Sequence, residues 1–315
     1  MDIIKILNKI DSRIIYLLIS IVVLIPLLIK IPVTIEPDDY SSIVYKNIDE
    51  ILNPKDVVES RGSNINELLF NRNSQLLYDV PSNSEKTSSG SKKVLMSFDY
   101  GPSTIPEVGP MSYAIMRQVI SSGNEVHTVA LWDTGLPMIS ETKKNVLKDL
   151  GIDEKDAKIY DFGFKSGGES VIRGMLSNIP KIFPKAQGIV ESLCDYDFVI
   201  SFSAGAPGSK EWVQFAGDQS ASACGGKKIK VSTGVTAVQV TELLPYVSDS
   251  NDAQLTGILA GLSGAASYET LTGFEGEFAG KASQRMNAQS FAHILIILFI
   301  IIGNIAYFIL NRRES

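Results

Sequence analysis

Two long apolar runs bracket this chain, and they constrain it more than any motif between them. The first is Ile14 to Ile29 and the second is Phe291 to Leu310. The second has about 20 residues, the length a helix needs to cross the hydrocarbon core. The first has about 16 uninterrupted apolar positions and reaches spanning length if Lys30 snorkels and part of Ile31 to Ile35 joins it. Residues 14–35 and 291–310 are therefore expected as transmembrane helices, with short tails at 1–13 and 311–315. The chain between them is expected to be a folded body held to the cell membrane, and so to lipid, at both ends.

Charge beside the spans suggests sidedness. Lys5, Lys9 and Arg13 precede the first run, and Arg312 and Arg313 follow the second. Basic residues next to spans favour the cytoplasm, so both tails are expected inside and the body outside, against the smaller pull of Lys30, Lys46, Lys281 and Arg285. No small-x-small cleavage site follows the first run, which favours an uncleaved anchor over a signal peptide. The net charge is −6 with no long basic run, so no nucleic-acid footprint is visible.

The chain has 2 cysteines, Cys194 and Cys224. That excludes a disulfide-rich scaffold and disfavours a structural zinc site. Each lies shortly before an expected strand. If those strands are adjacent and parallel, the thiols share one edge of the sheet at disulfide distance. A bond in an oxidising compartment and a pair of free buried thiols both remain open.

Residues 36–92 divide into a helical stripe (Ile43, Val44, Ile48, Ile51, Leu52) that Pro54 interrupts, a second helical pattern over 64–78, and a Ser-rich polar linker over 81–93. They are expected to form a membrane-proximal stalk. From 93 to 250, five apolar runs (94–98, 126–132, 158–164, 197–203 and 228–232) alternate with helix-length stretches at 106–121, 141–150, 168–176 and 187–193, and a weaker one at 211–223. That alternation predicts βαβ crossovers and a parallel sheet. The expected fold is α/β, a Rossmann-like three-layer domain flanked by the two spans. Residues 251–290 are expected as a Gly-rich helix followed by a connecting helix. Gly257, Gly261 and Gly264 would let another backbone come close, either within the chain or in a second copy. His293 and Asn304, eleven residues apart, share a helical face and are candidates for contact with Tyr16 or Ser20, with a membrane partner, or with a second copy.

Ligands of open parallel sheets bind beyond the carboxyl ends of the strands. Here those loops are rich in Gly, Ser and Thr, which suits either close approach of a ligand or turn geometry alone. The residues expected to contact a ligand are Asp99, Ser103, Glu107, Asp133, Glu169, Ser203 and Thr233. Carboxylates outnumber cations among them, so a polar or cationic ligand is expected rather than a bare anion. No G-x-G-x-x-G follows the first strand, and neither Walker A nor H-E-x-x-H occurs; no cofactor is expected. Ser201-Phe-Ser203-Ala-Gly205 is one letter from G-x-S-x-G, which makes Ser203 a candidate nucleophile of a hydrolase. Its partner base is missing: His293 lies in the last span, His127 sits in the second strand, and Lys165 or Lys210 would have to serve. Asp99-x-Gly-x-Ser103 resembles the Asp-x-Ser-x-Ser Mg²⁺ site of von Willebrand A-type domains with its first Ser missing. Asp99, Ser103, Thr104 and Asp133 could supply oxygen ligands, but the missing Ser leaves the set short and no metal is expected.

Ser97-Phe-Asp-Tyr-Gly-Pro-Ser103 and Gln254-Leu-Thr-Gly-Ile-Leu-Ala-Gly-Leu-Ser-Gly-Ala-Ala-Ser-Tyr-Glu269 resemble a family of uncharacterised prokaryotic membrane-anchored proteins. The resemblance spans 94–270 and implies no activity, so no functional residue follows from it. The expectation is therefore a membrane-anchored extracytoplasmic domain that binds a small ligand or partner protein at its strand-end loops without catalysis. The alternatives are a hydrolase using Ser203 and a structural subunit of a membrane complex.

Overall fold

The computed structural model describes residues 11–29, 35–53, 91–248 and 253–314. The second helical pattern of the expected stalk and most of the Ser-rich linker lie outside the described residues, as do most of the first tail and residues 30–34.

Six strands form one parallel sheet in the order β3-β2-β1-β4-β5-β6. They are β1 Lys93–Asp99, β2 Glu125–Ala130, β3 Ile159–Phe164, β4 Phe198–Ser203, β5 Lys230–Val235 and β6 Gly257–Ala260. Residues 94–99 are all buried, as a strand covered on both faces must be. One face carries α2 (Asp39–Leu52), α3 (Ile105–Ser121), α4 (Gly135–Leu150) and α6 (Gly261–Thr272); the other carries α5 (Glu169–Ser177) and a series of short helical turns. Apolar α1 (Ser12–Leu28) precedes this body and α7 (Lys281–Glu314) follows it.

The parallel α/β body agrees with the expectation, and four particulars do not. β6 was expected as helix. Its four residues are too few for an alternating pattern, and Gly257 is there because α2 lies on it: a Cβ would stand 2.6 Å from Val44 Cγ2. Gly261, at φ +56°, turns the strand into α6. α2 is not a stalk. Val44, Ile48 and Leu52 are buried in the same core as β1 and α3, because its apolar stripe needs a partner and the edge strand β6 with α6 supplies one. Asp38 caps α2 by accepting from the Ser41 amide and hydroxyl. α4 starts at Gly135, six residues before the expected start at Glu141, with Pro137 in its first turn. The stretch 187–193 is not a helix; 3₁₀ turns at Pro184–Ala186 and Leu193–Asp195 flank it.

The bond between Cys194 and Cys224 is formed, with Cα atoms 5.4 Å apart. The cysteines precede β4 and β5, which are neighbours, so the bond staples the amino edge of the sheet.

α7 has 34 residues and would reach about 50 Å. Among the described residues it is the one helix long and apolar enough to cross a membrane; α1 is apolar but shorter. The two pack together, and Gln284 Nε2 donates to the Leu27 carbonyl at 2.6 Å. The foot of α7 is tied to the domain. Glu269 accepts from the amides of Ala282 and Ser283, placing a carboxylate at the helix N-terminus. Asp149 accepts from the amides of Glu277 and Phe278 and from Tyr113. Burial pulls the Asp149 carboxyl up, yet the Tyr113 hydroxyl, those amides and Arg117 together hold it below the usual range.

His293 and Asn304 are exposed, whereas α7 turns Ala292, Leu295, Phe299, Ile302 and Ala306 to its half-buried side. Asn304 Nδ2 donates to its own helix at Ile300 and Ser20 to Tyr16. The expected contact between the spans through His293 and Asn304 is thus not made. The glycines are also spent within the chain. Added Cβ atoms at Gly261 and Gly264 would meet Ala237 and Leu259, as one at Gly257 would meet Val44.

Candidate functional site

The strand order reverses direction between β1 and β4, the topological switch point where ligands of open α/β sheets bind. A cavity of about 620 Å³ opens there, within the size range of small-molecule sites. Four strand ends build it: Gly101 to Thr104 after β1, Leu131 to Thr134 after β2, Phe164 at the end of β3, and Ala204, Ala206 and Pro207 after β4. Its walls are largely apolar. Ser103, Thr104 and Thr134 add hydroxyls, and Asp133 is the one charged lining residue. A second cavity, about 150 Å³, lies between α3, α4 and the foot of α7.

Asp99 does not face the cavity. It is fully buried beneath the switch point. Its Oδ1 accepts from the Leu131 amide at 2.8 Å, its Oδ2 from Ser201 Oγ and Trp212 Nε1 at 3.1 Å each, and Ser97 Oγ reaches both oxygens. Burial pushes its carboxyl up to about 7, against the pull of these donors. One carboxylate thus fastens β1, the β2 loop, β4 and the helical turn after β4. Ser209 Oγ extends the network to Ser201 Oγ at 3.1 Å.

The other expected site residues separate by role. Ser103 and Asp133 line the cavity, and Asp133 Oδ1 also accepts from the Thr134 amide at 2.8 Å. Ser203 is buried; its hydroxyl donates to the Gly205 carbonyl at 2.8 Å and accepts from the Gly205 amide at 3.3 Å. It closes its own turn against Gly208, where a Cβ would strike Ser203 Oγ. Glu107 Oε2 accepts from the Ala237 amide at 2.9 Å and holds the turn after β5. Glu169 pairs with Arg173 at 2.7 Å along α5. Thr233 is buried in β5, and Oγ1 of Thr233 and of Thr236 have no hydrogen-bond partner among the described residues.

The expected convergence of carboxylates therefore does not occur. Asp99 and Glu107 are engaged in holding the fold, Glu169 makes an exposed ion pair with Arg173 on its own helix, and of the four only Asp133 lines the cavity. Among the described residues no group of three His, Cys, Asp or Glu side chains is placed to hold a metal ion.

Trp132 is not among the residues expected to contact a ligand, yet it organises the site. Its indole Nε1 donates to the Pro207 carbonyl at 2.7 Å, and its ring edge lies 3.2 Å from where a Gly205 Cβ would be. It thereby locks the β2 loop to the β4 loop across the switch point. An aromatic residue closing an apolar run at the ligand-binding edge of the sheet is the available signal.

Comparison of the chain with protein-family models, with curated proteins and with solved structures finds no match.

Proposed function

We propose that this chain is a two-span membrane protein whose extracytoplasmic α/β domain binds a small polar ligand in the switch-point cavity, without chemistry of its own. The observation that carries the reading is the cavity itself, formed at four strand ends and locked by the Trp132–Pro207 hydrogen bond. The titratable and nucleophilic groups around it support binding over catalysis: the Ser203 hydroxyl is occupied by Gly205, and no lysine or histidine is bonded to it among the described residues.

Three observations support the anchoring. α7 has the length and composition of a span. α1 packs along it, and counting both as spans leaves the basic residues at 5, 9, 13, 312 and 313 on one side. The Cys194–Cys224 bond suits an oxidising compartment for the domain. Self-association in the membrane, if it occurs, would use the outward face that carries His293 and Asn304, because the glycines of β6 and α6 are already packed.

The test is a thermal-shift screen of the full chain in detergent against polar metabolites. It is repeated with Ser103→Trp, which fills the cavity from an exposed position, and with Ser203→Ala. Stabilisation by a ligand that Ser103→Trp abolishes is expected, with Ser203→Ala neutral. Turnover of an ester or amide that Ser203→Ala abolishes would replace this reading with hydrolysis.

A further inference from the structure

The sheet has a direction relative to the anchor. Phe278, before α7, sits by Asp149 near the carboxyl terminus of α4, at the amino edge of the sheet. Seven residues later, just over one turn into α7, Arg285 Nη1 donates to the carbonyls of Ile105 and Pro106, the first turn of α3, beyond the carboxyl end of β1. α7 therefore climbs the domain from amino edge to carboxyl edge, is buried as far as Ala288, and leaves on the carboxyl side. α1 ends at the same level, where Leu27 meets Gln284. α2 then descends from Gly264 and Ser267 in α6 to Thr256 and Lys230 at the amino edge.

We infer that the carboxyl edge of the sheet, with the mouth of the cavity, rests on the bilayer surface. Given that α7 is a span, its exit direction puts lipid on that side, and the surface there suits it. The turn after β5 is fastened by Glu107 next to the Ile105–Arg285 junction, and its Val238 is 82% exposed. Leu136 in the first turn of α4 and Phe164 at the end of β3 are also exposed and extend the same edge around the cavity. Tyr40, exposed at the start of α2, has the amphipathic ring favoured at the membrane interface. The disulfide lies on the opposite edge. This orientation rests on the membrane reading of α7 and deepens the binding reading: a ligand would enter the cavity from the headgroup layer.

The experiment places a fluorescent unnatural residue singly at Val238, Leu136, Phe164 and, on the amino end of β3, Tyr160, in the full chain reconstituted in phosphatidylcholine nanodiscs. Lipids carrying a nitroxide at the headgroup are the quencher. Quenching several-fold stronger at Val238, Leu136 and Phe164 than at Tyr160 is expected, and it should fall at Leu136 when Val238→Asp and Phe164→Asp are combined. Equal quenching at all four positions would overturn the docking. Because the quenching needs no ligand in the cavity, it can fail while Ser103→Trp still abolishes ligand stabilisation, and it can succeed while no ligand binds.

Discussion

The indole of Trp212 donates to the carboxylate of Asp99 across 3.1 Å, from the helical turn that follows β4 to the end of β1. Asp99 is fully buried and its other lone pairs take Ser97, Ser201 and the Leu131 amide. Asp99→Ala should therefore cost on the order of 3–5 kcal/mol, because it strands several buried donors at once. Asp99→Asn should cost less, about 2 kcal/mol, since it turns one accepting oxygen into a donor facing other donors. Urea unfolding in detergent measures both; an Asp99→Ala variant as stable as the parent would contradict the buttress role.

Gly135 begins α4 against the backbone of β1. A Cβ there would collide with the Phe98 carbonyl oxygen and lie 2.8 Å from Ala130 Cβ. Neither neighbour can swing aside, so Gly135→Ala should destabilise by about 3 kcal/mol. The companion Gly109→Ala meets only the Ile105 side chain, at 3.2 Å, and should cost under about 1 kcal/mol. Comparing their melting temperatures checks the pair.

The Cys194–Cys224 bond spans a separation of 30 residues. By loop entropy alone it contributes about 3–4 kcal/mol. Replacing both cysteines with Ala, or adding reductant, should lower the urea midpoint accordingly. A midpoint insensitive to reductant, with the bond verified by mass, would show that the unfolded chain gains nothing from cleavage.

His127 is enclosed by Tyr160, Phe162 and Tyr196, and its Nδ1 lies 2.9 Å from the Tyr196 hydroxyl. Burial, with a smaller push from Lys93, holds its pKa down to about 4. The folded imidazole stays neutral while the unfolded one takes a proton below about 6.5. Its contribution is complete above that pH and is lost as pH falls towards 4, by up to about 3 kcal/mol. Asp99, with its raised pKa, works in the opposite sense between pH 4 and 7. The measurable quantity is therefore the difference in pH slope between the parent and His127→Phe; equal slopes would refute the assignment.

Trp132→Phe removes the indole donor that meets the Pro207 carbonyl while keeping an aromatic face. Affinity for a ligand found in the screen should fall by about tenfold, equivalent to about 1.4 kcal/mol, with little loss of stability. Titration by calorimetry reads the change; unchanged affinity would place the ligand elsewhere.

The sequence showed where strands and helices alternate because each strand of the body, β6 apart, overlaps a short apolar-rich run set off from the next by a helix-length stretch. It also showed that Cys194 and Cys224 would stand together if their strands were neighbours. β6 was not legible: four residues carry no period, and its Gly257 reads as helix interior until Val44 is seen lying on it. The docking of α2 was hidden for a similar reason, since an apolar stripe announces that it will be buried but not against what.

The site divides along the same line. Residue types and their position after strands marked the loops at Ser103 and Asp133, and both reach the cavity. Whether a carboxylate faces a ligand or a ring of donors is set by contacts from remote segments. Asp99 is held by Ser201 and Trp212, and Glu107 by Ala237. Local sequence determined that this is a layered α/β body between two apolar helices, because periodicity and spacing are local properties. The tertiary structure alone decided which polar groups are spent on the fold and which edge of the sheet α7 leaves from, because both depend on pairs far apart in the chain.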